Sequence, residues 1–129
     1  MSTEITRIEN FNQITEQIIG CCFKVHTELG PGFNEKIYQR ALKVILEEHN
    51  LRFETEKEYP IFLKTRKIGI LKLDLVINDS VIIELKALTG VIPEIFKYQI
   101  LSYLKASGLK VGLLVNFGNK SCQIKRFIS

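Results

Sequence analysis

Three observations predict an α/β chain of the α+β kind, with a mixed β-sheet flanked by helices in the order ααβββαββ. Apolar residues recur at steps of three and four near the start and again after Pro93, the period of a helix that buries one face. Between these stretches the period falls to two and β-branched residues accumulate, as in strands. After the last helix "KVGLLVNFGN" is almost wholly apolar, which suits a strand covered on both faces. Strands in a meander, then a helical crossover, give a sheet with both parallel and antiparallel neighbours. The 129 residues, 46% apolar, are enough for a continuous core and are read as a single domain, 1–129.

The first helix is marked by Ile8, Phe11, Ile14, Ile18, Cys22, Val25 and Leu29. Gly30 suits its left-handed C-terminal position, and Pro31 cannot continue it. Asn34 is the expected N-cap of a second helix running to about Asn50, with Phe33 and Tyr38 as a hydrophobic staple. Its buried face is expected to be Phe33, Ile37, Ala41 and Val44 or Ile45. "FETEKEYPIFLK" is a strand of edge character because of Pro60. "KIGILKLDLVIN" and "VIIELKAL" form a hairpin around "NDS". "EIFKYQILSYLKASG" is helical, with Gly108 as its stop. "KVGLLVNFGN" turns through "GNK" into a last strand, "SCQIKRFI".

Composition narrows the function classes. No apolar run is long enough to span a membrane, and the first ten residues lack a signal-peptide core, so a cytoplasmic protein without membrane association is expected. The net charge of +4 is a mild lean towards polyanions. Cys21, Cys22 and Cys122 have no zinc-ligand spacing and read as reduced apolar residues; His26 and His49 have none either. Oligomeric state is not specified.

The hairpin carries the chemistry. Alternate residues of a strand share a face, which groups Leu71, Leu73, Leu75 and Ile77 against Lys72, Asp74 and Val76. On the partner strand, Val81, Ile83, Leu85 and Ala87 stand against Ile82, Glu84 and Lys86. The apolar sets meet only if the turn has three residues, Asn78 to Ser80, pairing Ile77 with Val81. Asp74 then lies opposite Glu84 and Lys72 opposite Lys86. Two carboxylates so placed either share a proton, are neutralised by Lys72 and Lys86 on a solvated sheet face, or hold a cation. A hard divalent ion takes one or two carboxylates, several waters and phosphate oxygens. Asp74, Glu84 and the Leu85 carbonyl are the candidate metal ligands, with Lys86 beside the bound water.

Asp74, followed by Glu84-Leu85-Lys86 on the next strand, resembles the PD-(D/E)xK nuclease superfamily, with "LDL" in place of the motif's leading proline. Gln99 and Tyr103 in "QILSY" are similar to the "QxxxY" motif of its RecB-like branch. Gly32, Glu35 and Tyr38 in "LGPGFNEKIYQRAL" are spaced as in GxxExxY proteins, and "LDLVINDSVIIELKA", "QILSYLKASGLKVGLLVNFG" and "KRFI" also resemble that family. The resemblance runs from about Ile14 to Ile128. It implies a PD-(D/E)xK-like core and a nuclease hydrolysing phosphodiester bonds in DNA or RNA with Mg²⁺ or Mn²⁺. The implied catalytic set is Glu35, Asp74, Glu84, Lys86 and Gln99. Tyr38 is assigned to packing, and no catalytic histidine is expected in "EIFKYQ". Lys64, Arg66, Lys67, Lys72 and Tyr103 are the expected nucleic-acid contacts. A non-catalytic nucleic-acid- or protein-binding module on the same fold is the alternative.

Overall fold

The computed structural model describes the backbone of residues 3–129 and the side chains of residues 12–129. Its elements are α1 (Thr3–Leu29), α2 (Glu35–Glu48), β1 (Phe53–Leu63), β2 (Arg66–Ile77), β3 (Val81–Lys86), α3 (Ile95–Ser107), β4 (Val111–Asn116) and β5 (Gln123–Ile128). This is the predicted order. The strands form one five-stranded sheet, β1-β2-β3-β4-β5, in which only β3 and β4 run parallel. The α3 crossover supplies that parallel pair. β1 is an edge strand, where Pro60 is tolerated. No described helix is long and apolar enough to cross a membrane.

Two apolar layers hold the sheet. On one face, Ile18, Cys22 and Val25 of α1 and Tyr38, Leu42 and Leu46 of α2 pack on Leu75, Ile77, Val81, Ile83 and Leu85. On the other, Leu104 of α3 packs on Leu73, Val76 and Ile82. Gly112 in β4 admits α3 closely, since a Cβ there would meet Ile100 at 2.9 Å. β4 is buried along its whole length, as its composition predicts. Full burial of each large aliphatic side chain contributes roughly 1.5–3 kcal/mol.

The α1–α2 corner follows its sequence signals. Gly30 takes φ 67° and Gly32 φ 116°, backbone conformations that glycine reaches without a Cβ clash. The Asn34 side chain accepts the Ile37 amide at 3.1 Å. The buried Tyr38 hydroxyl donates to the Gly30 carbonyl at 2.5 Å and accepts the Phe33 amide at 3.2 Å. Its ring stacks on Phe117 at 4.6 Å and meets Phe33 edge-on at 6.2 Å. Tyr38 is therefore a packing residue, as assigned. The core stripe of α2 matches expectation only in part: Ala41 and Ile45 pack against the core, but its fully buried residues are Tyr38, Leu42 and Leu46, whereas Phe33 and Val44 are 49% and 55% exposed. Phe33 precedes the helix, so counting from it rotated the apparent face by one position. In α1, Ile14, Ile18, Cys22, Val25 and Leu29 do pack inward, while Ile8 and Phe11 lie outside the described side chains. All three cysteines are free, and burial pushes their thiols up, Cys122 to about 11.

The alternation assumed for β2 is broken once. Leu71 and Leu73 belong to the α3 layer, but Leu75 and Ile77 belong to the α1–α2 layer. β1 changes layer at the same level, with Tyr59 in the former and Phe53 in the latter. Thr55 pairs with Leu75 and Lys57 with Leu73, yet Glu56 and Asp74 between them do not pair. Glu56 takes φ 54°, a left-handed conformation that costs an L-residue roughly 1–2 kcal/mol. The kink turns the outer ribbon so that its apolar residues reach α3. The four leucine and isoleucine positions of β2 thus do not share one face, and Asp74 sits at the pivot.

Candidate functional site

The turn after β2 sets the register of the two acidic positions. Asn78 and Asp79 adopt φ 53° and 52°, and the Ser80 amide bonds the Ile77 carbonyl at 3.1 Å. Asn and Asp tolerate this conformation better than most residues. The three-residue turn pairs Ile77 with Val81 and Val76 with Ile82. Lys57 reaches across to Asp79 and Glu54 and secures the turn from β1.

The β2–β3 ladder ends at Val76–Ile82, whereas β3 continues beside β4 as far as Lys86–Asn116. This corrects the expected direct opposition. Asp74 and Glu84 each lie two residues beyond the last ladder pair, Val76–Ile82, where the strands are no longer paired. Lys72 faces Glu58 of β1 instead of Lys86.

Charge coupling shows what converges at the parting. The Glu84 carboxyl is pushed up to about 7 by burial; Lys86 pulls it down, and Asp74 and Glu35 push it further up. Burial also raises Glu35, against the pull of Lys86 and with the push of Asp74. On the α3 side, the Tyr103 hydroxyl is raised by burial and then by Glu84 and Asp74. Four of the expected residues, Glu35, Asp74, Glu84 and Lys86, therefore share one electrostatic neighbourhood, with Tyr103 at its edge. A cavity of about 10 Å³, near the lower limit for one water, is lined by Glu35, Gln39, Asp74, Leu75, Ile83 and Leu85. Among the described residues no three His, Cys, Asp or Glu side chains form a ready-made metal cage.

Lys86 is held from two directions. Its ammonium lies 4.2 Å from the centre of the Phe96 ring in the first turn of α3, a cation–π contact. Its carbonyl accepts the Phe117 amide at 2.9 Å. The following loop is clamped by two asparagines. Asn116, fully buried, accepts the Leu88 amide at 2.8 Å and donates to the Leu88 carbonyl at 2.9 Å. Asn119 does the same for Gly90, with both bonds at 2.8 Å. Gln123 accepts from both side-chain amides. His26 bonds the Asn119 carbonyl at 2.9 Å, which gives it a structural place.

The other expected residues spread further. Gln99 and Tyr103 are half-buried, one helical turn apart on α3. Lys64, Arg66 and Lys67 stand at the far tip of the β1–β2 ribbon, where Leu63 pairs with Arg66. Seven or more residues separate them from Asp74, roughly 25 Å along a strand. A groove beside Asp74 runs instead along α2, between Lys36, Arg40 and Lys43 on the helix and Thr55 and Glu56 on β1. Sequence reasoning missed Gln39, Phe96, the asparagine clamp and these three cations. A lone asparagine ending an apolar strand and a basic stripe on α2 were the available signals.

Comparison with curated proteins and with solved structures gives no match. The family model of the PD-(D/E)XK nuclease superfamily matches residues 12–127, which takes in Glu35, the parted β2–β3 strands, Lys86 and the whole of α3. With that match over nearly the full length, the chain belongs to the PD-(D/E)XK nuclease superfamily.

Proposed function

We propose that the protein is a divalent-metal-dependent nuclease that hydrolyses phosphodiester bonds at the parting of β2 and β3. The observation that carries this reading is the convergence of Asp74, Glu84 and Lys86 beyond the last β2–β3 pair, with Glu35 in the same field. The donor set is all oxygen, which suits Mg²⁺ or Mn²⁺ over softer metals. Asp74 and Glu84 would hold the ion, with the Leu85 carbonyl as a further donor and Glu35 completing the shell. A bound divalent cation supplies Lewis-acid polarisation of the phosphoryl oxygen and a water of lowered pKa. A carboxyl raised first by burial and further by like-charged neighbours fits this role, because a bound cation would favour its charged form and relieve the repulsion.

The remaining roles belong to the chain's own side chains. Lys86, fixed by Phe96, orients the attacking water and stabilises charge on the phosphoryl oxygens. Gln99 hydrogen-bonds a water beside the site, and Tyr103 contacts the nucleic acid. Lys72 contacts the backbone near the site, while Lys64, Arg66 and Lys67 reach only a long substrate. The Gly32, Glu35 and Tyr38 spacing supports placing the chain among GxxExxY proteins.

Cleavage of labelled DNA and RNA, single- and double-stranded, with Mg²⁺ or Mn²⁺ tests the proposal. Wild type cleaves at least one substrate, and Asp74→Ala, Glu84→Ala and Lys86→Ala each lose activity by a factor of at least about 100, or roughly 2.7 kcal/mol of transition-state stabilisation. Equal activity in all four proteins rejects the assignment. The basic wall of Lys36, Arg40 and Lys43, which can hold a phosphate chain without any metal, favours, as a second reading, a non-catalytic module that binds nucleic acid or protein on the same fold. Retained nucleic-acid binding without any cleavage would select it.

A further inference from the structure

We propose that Lys36, Arg40 and Lys43 of α2 form a docking track for one strand of duplex DNA, leading into the acid site. The proposal rests on the nuclease reading in placing Asp74 and Glu35 at the track's inner end. Steps of four and three put the three cations in one stripe along the helix. The stripe runs about 10 Å, at 1.5 Å per residue, which matches about three base-pair rises of 3.4 Å along the axis of a B-form duplex. Lys36 and Arg40 are exposed and Lys43 half-buried, and all three line the groove that contains Asp74.

None of these cations forms an ion pair among the described residues, although Lys24 and Lys57 do. That matters because Glu35, Glu56 and Asp74 line the same groove. If the cations were there to neutralise the acids, contacts between them would be expected. The groove is instead divided, with a basic helical wall and acids at its inner end and opposite margin. A basic wall takes phosphates and an acidic end takes a cation, so a phosphate chain entering along α2 meets both complements in order. Among the described residues no aromatic side chain lines the groove, so unpaired bases have no stacking platform there. This favours a duplex, held by its phosphates, over a single strand.

The test measures binding of a short fluorescein-labelled DNA duplex to the full chain in EDTA, by anisotropy across a salt series. The triple variant Lys36→Gln, Arg40→Gln, Lys43→Gln is compared with the charge-keeping variant Lys36→Arg, Arg40→Lys, Lys43→Arg, and circular dichroism verifies both folds. The neutral variant is expected to bind at least tenfold more weakly, with the slope of log affinity against log salt reduced by about 2 to 3. The charge-keeping variant retains the wild-type slope. Wild-type affinity and slope in the neutral variant would overturn the track. So would tighter wild-type binding of single-stranded DNA or duplex RNA than of duplex DNA. A parallel Mn²⁺ cleavage assay separates the two readings. Lost binding in the neutral variant with no wild-type cleavage leaves the track standing without the nuclease; wild-type cleavage with unchanged binding does the reverse.

Discussion

The two sides of β3 differ sharply. Towards β4 every residue from Val81 to Lys86 is paired, and Asn116 and Asn119 extend the hold into the next loop. Towards β2 only Val81 and Ile82 are paired. One strand therefore has a locked side and an open side. The open side is where Asp74 and Glu84 meet without a ladder between them, and the locked side supplies the rigidity that this opening needs. A half-buried carboxyl carrying like-charged neighbours is unfavourable, and it persists only if the frame around it cannot relax.

The largest expected effect comes from breaking the locked side. A Cβ on Gly118 would overlap the backbone of Leu88, and no rotamer relieves a backbone overlap. Gly118→Ala is expected to cost on the order of 4 kcal/mol in urea denaturation. The open side should behave in the opposite way. Glu84 is protonated more readily in the folded chain than in the unfolded chain, where its carboxyl titrates near 4.5. Its contribution is whole below pH 4.5 and is lost as pH rises through about 7. Glu84→Gln should therefore stabilise the metal-free protein by up to about 3 kcal/mol at pH 8 and leave it nearly unchanged at pH 4. Equal melting temperatures at pH 8 would mean that the charged Glu84 carboxylate carries no penalty in the folded chain. The smallest effect links the two sides through Lys86. A double-mutant cycle of Phe96→Leu and Lys86→Met should give a coupling of roughly 0.5–1 kcal/mol.

The same contrast explains what was legible in the sequence. Local signals carried the element order, the Gly30 and Gly108 stops, the Asn34 cap and the three-residue turn, because each acts over a few residues. The turn in particular fixed which residues of β2 and β3 share a register. The break at Glu56 and Asp74 was not legible. A period-two reading assumes an uninterrupted pleat, and nothing in "TEKE" or "KLDL" announces a left-handed glutamate. The early end of the β2–β3 ladder follows from that kink and was hidden with it. The asparagine clamp was hidden for another reason: Asn116 holds Leu88 and Asn119 holds Gly90, partners more than a whole helix away in the chain. Lys64, Arg66 and Lys67 drew notice as a sequence cluster, but a long ribbon carries them away from the acids. The α2 cations, scattered in sequence, are gathered by helical periodicity beside Asp74.

Calorimetric titration of Mn²⁺ into the protein at pH 8 tests the central claim most directly. One ion per chain is expected to bind wild type, with at least tenfold weaker binding to Asp74→Ala and to Glu84→Ala alike. No binding by wild type, or binding that neither substitution weakens, would contradict a shared cation at the open side of β3.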